Sequence, residues 1–252
     1  MSDLFSVKGK VALVTGGTSG IGQMIARGLV ENGARTYIVG RSVQTCTDAA
    51  KELSQYGECL PLPGDLSTMA GVEAVIAALC AKEKQLDILV NNAGAMYDAP
   101  LDEFTEEGWD SIIDLNLKSV FFLSQKALPL LRAAVAANEQ ASVINIGSVG
   151  GLRVGPKENY SYQAAKAGLH HLTGSLAKRL GPENIIVNAI APGFFESRLT
   201  SAKDLPPAVL QMVPRRRMGN PDDIVGAVIY LSSRAASFVA GAVIPVSGGM
   251  TL

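Results

Sequence analysis

The chain has almost no excess charge of either sign, because 22 Lys and Arg residues are matched by 23 Asp and Glu residues and the formal net charge is −1 at pH 7. Proteins that bind nucleic acid or anionic membranes carry a basic surface, which this composition does not indicate. The only basic run is Arg215 to Arg217. We interpret it as a solvated or subunit-contact patch, with contact to an anionic substrate tail as the alternative. The sequence therefore predicts no nucleic-acid partner and no membrane partner.

Cysteine and histidine are also scarce, which leaves little basis for metal or thiol chemistry. Cys46, Cys59 and Cys80 are odd in number and follow neither disulfide nor zinc spacing, so ordinary thiols are predicted. The two histidines, His170 and His171, are adjacent. Adjacent helical positions point about 100° apart, so the pair cannot form one site. We expect no metal site, and we expect His170 to pack in the interior or at a subunit contact.

Targeting and membrane signals are missing from the sequence as well. Residues 1–8 lack the apolar core of a signal peptide, and no apolar run reaches the roughly 20 residues that span a bilayer. A cytoplasmic protein is therefore expected.

The chain does contain a regular alternation of apolar, strand-like runs with amphipathic, helix-length segments. This βαβ pattern is typical of a parallel sheet covered by helices on both faces. With 48% hydrophobic residues and no charged or proline-rich linker, residues 1–252 are predicted to form a single domain of the α/β, doubly wound Rossmann type. Its seven strands are expected near residues 10–15, 35–40, 58–63, 86–91, 141–147, 185–191 and 242–246.

Tyr162 is followed four residues later by Lys166, with Ser148 upstream. Residues at i and i+4 lie on one face of a helix, so the Lys166 ammonium is expected near the Tyr162 phenol. A nearby cation favours the phenolate, and lowering the pKa from about 10 by about two units corresponds to roughly 2.7 kcal/mol. The three residues predict an acid–base site, although such a spacing also arises by chance.

A glycine-rich segment, Thr15 to Gly22, follows the apolar run Val11 to Val14 and precedes an amphipathic stretch. Strand, tight turn and helix are predicted. Glycines in such a turn let phosphate oxygens approach the backbone closely, and the helix N-terminus favours the pyrophosphate. The spacing is Gly-x3-Gly-x-Gly rather than the common G-x-G-x-x-G, and a turn without a ligand is the alternative.

Seven motifs in a fixed order resemble those of the short-chain dehydrogenase/reductase family. The resemblance covers nearly the whole chain and includes the 3-oxoacyl thioester reductases, especially the rhamnolipid-associated ketoacyl reductase subgroup. The motifs are Thr15-Gly16-x3-Gly20-x-Gly22, Asp65-Leu66, Asn91-Asn92-Ala93-Gly94, Asn116, Ser148, Tyr162-x3-Lys166 and Pro192-Gly193.

The resemblance implies reversible hydride transfer between a nicotinamide cofactor and a carbonyl or alcohol carbon. It implies that Tyr162 exchanges a proton with the substrate oxygen and that Ser148 donates a second hydrogen bond to that oxygen. Lys166 would lower the Tyr162 pKa and hold the nicotinamide ribose, and Asn116 would anchor a water near Lys166. A cofactor-binding sensor or scaffold without turnover is the remote alternative.

Cofactor choice is expected to depend on the end of the second strand. Gly40 stands where NAD-dependent relatives tend to place Asp, and Arg41 follows, which favours NADP(H). Ser19 replaces a basic residue found in many NADP-dependent relatives, so NAD(H) remains an alternative. Asp65 matches an adenine-binding residue but is also a candidate helix cap. The expected cofactor-binding residues are Gly16, Thr18, Ser19, Gly20, Ile21, Gly22, Arg41, Asp65, Leu66, Asn92, Ala93, Gly94, Tyr162, Lys166, Pro192, Gly193, Phe195 and Ser197.

The substrate is expected to be an apolar ketone, most consistent with a 3-oxoacyl thioester. The predicted pocket walls are residues 95–100, 149–160 and 194–218, and their side chains are mainly apolar, with Met96, Leu152, Phe194, Phe195, Leu199, Leu205, Arg153 and Arg198 singled out. Residues 133–141 and 181–184, expected beside the pocket mouth, carry no basic residue. Their composition argues against an acidic carrier protein and leaves a CoA thioester, an unlinked ketone, a steroid or a cyclic ketone as alternatives.

A homotetramer is also expected, because the family forms two kinds of two-fold contact. The first would pair the helix around Lys166, with Ala164, Ala165, Ala167, Gly168, Leu169 and Leu172, and the helix spanning residues 116–131. The second would use residues 242–246 and the apolar end of the chain at Leu252.

Overall fold

A computed structural model describes residues 3–196 and 210–252. Its sheet has seven strands, and every neighbouring pair is parallel in the order β3-β2-β1-β4-β5-β6-β7. The strands are β1 Val11–Thr15, β2 Arg35–Val39, β3 Cys59–Pro61, β4 Ile88–Asn91, β5 Ala141–Ile146, β6 Ile185–Pro192 and β7 Val243–Val246. The predicted seven-stranded parallel sheet is confirmed, with boundaries within two residues of those expected.

Helices cover both faces of this sheet, as predicted. On one face α1, α2 and α7 pack in a core with Ala12, Val14 and Ile38, and on the other α3, α5 and α6 pack in a core with Val11 and Leu13. Successive residues of β1 thus point into different cores, as the pleat requires. The helices are α1 Gly20–Glu31, α2 Val43–Leu53, α3 Met69–Cys80, α4 Glu106–Ile113, α5 Ser119–Asn138, α6 Tyr160–Leu180 and α7 Pro221–Ser232.

Local sequence explains where several helices begin. Ser42, Thr68 and Thr105 each accept a hydrogen bond from a backbone N–H in the first turn of α2, α3 and α4. At α7 the Asn220 side chain and Asp223 form a reciprocal capping box. At α1, by contrast, Ser19 occupies the cap position and its side chain makes no capping hydrogen bond. The α1 N-terminus therefore keeps backbone donors available for another acceptor.

Helix α4 runs through a π-helical turn, Asp114–Lys118, into α5 without interruption. The combined stretch of residues 106–138 is long and apolar enough, by length and composition, to cross a membrane, and 39% of its most apolar window is buried inside the fold. The same properties are found in helices that pack against a core, and α5 contributes Leu123, Ala127, Leu130 and Leu131 to the core that it shares with α3 and α6.

The sheet order creates a crevice. From β1 the chain builds outward to β2 and β3 and then returns to place β4 on the other side of β1. The loops after β1 and β4 therefore diverge at the carboxyl edge of the sheet, which is where open parallel sheets bind ligands.

Candidate active site

A cavity of about 410 Å³ opens at this crevice. It runs along the carboxyl edge of the sheet, from the loop after β2 to the start of α6. The expected site residues that line it are Gly16, Thr18, Ser19, Gly20, Ile21, Gly22, Arg41, Asp65, Leu66, Asn92, Ala93, Gly94, Ser148, Tyr162, Lys166, Pro192, Gly193 and Phe195. Ser197 lies outside the described residues, as do Arg198, Leu199 and Leu205. Asn116 is described but does not line the cavity.

The turn between β1 and α1 requires its glycines. Gly16 and Gly20 have φ of +63° and +55°, a region that side chains disfavour. A Cβ added to Gly22 would lie 2.2 Å from the Gly16 carbonyl oxygen and 2.4 Å from Asn92 Nδ2. The turn is therefore closed tightly on itself, while the N-terminus of α1 points into the cavity with its donors uncapped. Such an end is suited to binding a phosphate group.

Thr15 and Asn92 brace this turn against the loop after β4. The Thr15 hydroxyl accepts hydrogen bonds from the backbone amides of Asn92 (2.8 Å) and Ala93 (2.9 Å), and the Asn92 side chain donates to the Thr15 carbonyl (2.8 Å). Sequence reasoning assigned Asn92 to cofactor contact and gave Thr15 no role. The role of Thr15 could have been inferred because its hydroxyl ends a strand, Val11 to Val14, that is otherwise aliphatic.

At the end of the cavity formed by the loop after β2, the residues Gly40, Arg41, Ser42 and Thr45 line the wall beside Asp65. Asp65 Oδ1 accepts from the Ser67 backbone amide (3.0 Å) and hydroxyl (2.8 Å), and these bonds, with a smaller contribution from the positive charge of Arg41, hold the pKa of Asp65 below its ordinary value. The proposed helix-cap role of Asp65 is wrong, because Thr68 caps α3.

The catalytic candidates meet at the end of β5. Ser148 follows the strand, and its hydroxyl accepts a hydrogen bond from the Gly150 amide (3.0 Å) and lies close enough to the Tyr162 phenol to affect its pKa. Lys166, one turn after Tyr162 on α6, is only 4% exposed and donates from Nζ to the Ile146 carbonyl (2.7 Å). Ser148, Tyr162 and Lys166 are thus brought together, as the motif spacing predicted.

The expected lowering of the Tyr162 pKa by Lys166 is not found in this structure. Burial raises the pKa of Tyr162, and the hydrogen bond from Ser148 opposes that rise. Lys166 Nζ lies 5.8 Å from the centre of the Tyr162 ring, and burial lowers the pKa of Lys166 itself to about 8. Desolvation outweighs the interaction between the two side chains because the ammonium is directed at a backbone carbonyl rather than at the phenol.

Asn116 lies in the π-helical turn and is fully buried. Its side chain is engaged on both sides by Ala95, accepting from the Ala95 amide (2.9 Å) and donating to the Ala95 carbonyl (2.9 Å). The expectation that Asn116 anchors a water near Lys166 stays a prediction. What the residue visibly does is fix the loop after β4, and π-turns of this kind are frequent at functional sites.

The far wall comes from the end of β6. Gly193 packs so closely on Ser247 and Met250 that a Cβ would lie 2.9 Å from the Ser247 Cα. Buried Phe195 packs its ring on Gly219. Arg153, from the loop after Ser148, donates to the Met250 carbonyl, and the Arg215 amide donates to the Gly248 carbonyl (3.1 Å). The C-terminal turn thus joins two segments that were predicted as pocket walls.

An aromatic cluster beside the cavity was missed by sequence reasoning. The ring of Phe104 packs edge-on against Tyr97 (centroids 5.0 Å apart), Tyr160 (5.4 Å) and Trp109 (6.3 Å). The adjacent loop exposes 43% of Leu152 and 86% of Val154. These residues are far apart in sequence, so only the fold brings them together. Of the described residues singled out as pocket walls, Met96 and Phe195 line the cavity, whereas Leu152, Arg153 and Phe194 do not.

One argument about the pocket mouth is wrong. Residues 133–141 and 181–184 immediately precede or begin β5 and β6, so they lie at the amino edge of the sheet. The cavity lies at the carboxyl edge. The lack of basic residues in those two segments therefore carries no weight against an acidic carrier protein.

The cavity fits a dinucleotide on several structural grounds. The α1 N-terminus is uncapped, Gly16 and Gly22 leave backbone rather than side chain at the turn, and the exposed Arg41 stands at the far end. Among residues 3–196 and 210–252 there is no cluster of three or more His, Cys, Asp or Glu side chains that could hold a metal ion.

Comparison with known proteins agrees with this geometry. A family model described as enoyl-(acyl carrier protein) reductase matches residues 16–251. A rhamnolipids biosynthesis 3-oxoacyl-(acyl-carrier-protein) reductase of Pseudomonas aeruginosa is 44% identical over 100% of both chains. A 2-dehydro-3-deoxy-D-gluconate 5-dehydrogenase of Escherichia coli is 37% identical, covering 97% of this chain and 96% of its own.

A solved structure is similar along its whole length as well. The Pseudomonas aeruginosa RhlG/NADP active-site complex superposes with a TM-score of 0.96 at 44% identity and 100% coverage of both chains. With the motifs in order, the parallel sheet and the Ser148, Tyr162 and Lys166 cluster in place, the chain belongs to the short-chain dehydrogenase/reductase family.

Proposed function

We propose that this chain is an NADP(H)-dependent oxidoreductase that reduces a ketone to a secondary alcohol, with a 3-oxoacyl thioester as the substrate class. The observation that supports it most is the convergence of Ser148, Tyr162 and Lys166 on a cavity that also contains the uncapped N-terminus of α1. The substrate class is supported by the full-length, 44% identical relative, whose name specifies 3-oxoacyl reduction. In this proposal the whole chain, residues 1–252, acts as one cofactor-binding and catalytic domain.

The chain's own residues would divide the work along the cavity. The amides at the start of α1 bind the pyrophosphate, and Lys166 contacts the nicotinamide ribose hydroxyls. When bound, the nicotinamide supplies the hydride. Tyr162 gives its phenolic proton to the substrate oxygen, while Ser148, whose hydroxyl already accepts from Gly150, donates its own proton in a hydrogen bond to the same oxygen.

Binding of the cofactor also supplies the reason for placing a buried ammonium here. Lys166 now donates to the Ile146 carbonyl and has a pKa of about 8. The ribose hydroxyls of a bound cofactor would favour the charged form of Lys166. A positive charge beside Tyr162 then makes it easier for the Tyr162 phenol to lose its proton. Asn116 acts by holding Ala95, and so shapes the loop that faces the nicotinamide.

Preference for NADP(H) over NAD(H) is supported by Arg41 and by the neighbouring hydroxyls of Ser42 and Thr45, which line the same end of the cavity. A guanidinium and hydroxyl groups suit a 2′-phosphate, and because residue 40 is glycine there is no carboxylate at that position to repel the phosphate.

Positively charged side chains near the C-terminal turn favour a thioester that carries an anionic group over an unlinked ketone. The Arg153 guanidinium and the Arg215 backbone amide both contact that turn, on which Gly193 of the cavity wall packs. Arg217, by contrast, forms a two-pronged ion pair with Asp223, so the basic run is not uniformly available. Dehydrogenation of a free secondary alcohol is the second candidate, because the 37% identical relative carries a gluconate dehydrogenase name.

The test is NADPH oxidation by the purified enzyme with acetoacetyl-CoA, a 3-oxoacyl carrier-protein thioester, a 2-enoyl thioester, a cyclic ketone and a keto-sugar acid. We expect turnover with the 3-oxoacyl thioesters and none with the enoyl thioester, which has no carbonyl oxygen at the reacting carbon for Tyr162 to protonate. Preference for the sugar acid would support the second candidate. If none of these substrates is turned over, the result would support a sensor or scaffold.

A homotetramer in the cytoplasm completes the proposal. An apolar depression between α6 and the continuous stretch from α4 to α5 supports the first predicted contact; it is lined by Ile113, Leu117, Phe121, Phe122, Gly168 and Leu172. Ala165 and Leu169 do not belong to it, since both are buried within the chain's own fold. Fully exposed Phe238 and Leu252 support the second contact. Light scattering should give about four times the 26.3 kDa chain mass.

A further inference from the structure

His170 lies one helical turn after Lys166 and is only 9% exposed. The sequence suggested packing or a subunit contact for this residue. In the structure its ring faces inward, beneath the turn that carries Ser148, and so it does not contribute to the apolar depression on α5 and α6. The neighbouring His171 is exposed and does line that depression.

The backbone around Ser148 is shaped to accept this imidazole. A Cβ added to Gly147 would lie 2.1 Å from His170 Nε2, and one added to Gly151 would lie 2.6 Å from the Lys166 carbonyl carbon and 2.8 Å from His170 Cε1. Ser148 is therefore flanked by two glycines that leave room for the same ring. Any side chain at either glycine would displace the ring or the turn.

The ring also makes a directional contact with the catalytic serine. The Ser148 backbone amide donates to His170 Nε2 at 3.5 Å, the long end of hydrogen-bond distances. Nε2 accepts only when it carries no proton, so the proton of the neutral ring is on Nδ1. Nδ1 is buried and has no hydrogen-bond partner among the described residues.

Burial keeps the ring in the form that can accept. It lowers the pKa of His170 below its ordinary value, and the positive charge of Lys166 acts in the same direction, while the backbone at Gly151 opposes them. Lys166, on the same helix, is the one charged side chain that acts on His170 within the described parts of the chain.

We propose that His170 is a positioning residue for Ser148: its Nε2 holds the Ser148 amide while its ring sets the Gly147–Gly151 turn, and together they aim the Ser148 hydroxyl at the carbonyl oxygen. The inference rests on the proposed ketone reduction. Small displacements of a group that contacts the reacting oxygen are costly, and a misplacement of about 1 Å reduces turnover by about 10²-fold.

The test compares variants that differ in where they place an acceptor. In His170→Gln the side-chain oxygen reaches the position of Nε2, in His170→Asn it reaches only the position of Nδ1, and His170→Leu has no acceptor. We expect His170→Leu and His170→Asn to lower kcat about ten-fold with little change in NADPH affinity, and His170→Gln to recover most of the loss. His171→Gln, one residue along on the exposed side, is the matched control, with its mass checked by light scattering.

Hydrogen–deuterium exchange of the segment from Gly147 to Gly151 provides a readout that needs no substrate. Exchange should be faster in His170→Leu and His170→Asn than in His170→Gln, which should resemble the wild type. If the wild type reduces no ketone, the exchange data still test the contact, so the two proposals fail separately. Equal kcat and exchange in the Gln and Asn variants would overturn the positioning role, and wild-type turnover in His170→Leu would do the same.

Discussion

The two ends of the cavity are built by different physical means. The cofactor end, from Gly16 to Gly22, is made of backbone: glycines in close contact, an uncapped helix end and a brace from Thr15 and Asn92. The catalytic end is made of buried side chains whose pKa values are moved by desolvation, with Lys166 lowered to about 8 and Tyr162 raised. Shape determines the first end and electrostatics the second.

This difference determines how a substitution at each end should affect the enzyme. At a backbone-built site the effect of a substitution is steric, so it should appear in cofactor affinity and change little with pH. At the catalytic end removal of one polar atom leaves the shape intact, so it should appear in kcat and in pH dependence.

The largest effect is expected for Tyr162→Phe, which removes the proton donor and preserves the ring. We expect kcat to fall by at least about 10²-fold while NADPH affinity, measured by fluorescence titration, stays within a few-fold. Tyr160→Phe is the matched control, because Tyr160 lies two residues away on the same helix, packs on Phe104 and interacts through its hydroxyl with Glu158, and it does not line the cavity. Near-normal turnover in Tyr162→Phe would mean that Tyr162 is not the proton donor and that the catalytic end does not depend on this polar atom.

Gly22→Ala should break the backbone-built end. Its Cβ would lie 2.2 Å from the Gly16 carbonyl oxygen, a main-chain atom that cannot yield alone. We expect NADPH affinity to fall at least about ten-fold, or about 1.4 kcal/mol, to the same extent at every pH. Gly226→Ala in α7 is the control, because its Cβ meets nothing within 4 Å. That variant should bind NADPH normally and be more stable to urea by about 0.5–1 kcal/mol. Unchanged NADPH affinity in Gly22→Ala would contradict the steric account.

The same contrast explains what the sequence could predict. Gly16, Gly20 and Gly22 could be assigned from spacing because a glycine's role is local, and strand periodicity was enough for the parallel sheet. The pKa of Tyr162 could not be predicted, because it depends on how deeply the fold buries the phenol and on the position of Ser148 beside it. The direction of His170, the Asn116–Ala95 pair and the aromatic cluster around Phe104 likewise depend on packing between distant segments.

Cofactor preference tests whether charge matters at the backbone-built end. Arg41→Ala should raise the KM for NADPH by about five-fold and leave the KM for NADH unchanged, since an exposed ion pair contributes up to about 1 kcal/mol and only NADPH carries the 2′-phosphate. Lys51→Ala, at the far end of α2, is the control. Equal changes for both cofactors would mean that Arg41 does not contact the 2′-phosphate.

Switching the preference toward NADH needs a second substitution that sequence alone did not indicate. A Cβ at Gly40 would lie 2.6 Å from Thr18 Cγ2. Gly40→Asp should therefore impair both cofactors through this clash. Combined with Thr18→Ser, which removes that methyl group, it should favour NADH. If the single variant favours NADH as strongly as the double variant, the Thr18 contact is not restrictive.

The smallest effect concerns the stability of the catalytic end in the cofactor-free protein. Burial lowers the pKa of Lys166 from 10.5 to about 8, so between these values the unfolded chain binds a proton that the folded chain has released. The free energy of unfolding contributed by this group must therefore rise with pH across that window. Urea unfolding at pH 8 and pH 9 should show a rise of about 1 kcal/mol in the wild type relative to Lys166→Met.

Tyr162 is present in both proteins, so its opposite contribution above its own pKa cancels in the difference. Gly22→Ala should retain the wild-type slope, because no titrating group lies in its turn. Parallel curves for the wild type and Lys166→Met would mean that Lys166 keeps its proton while buried, and the catalytic end would then hold a full positive charge beside Tyr162 even without a cofactor.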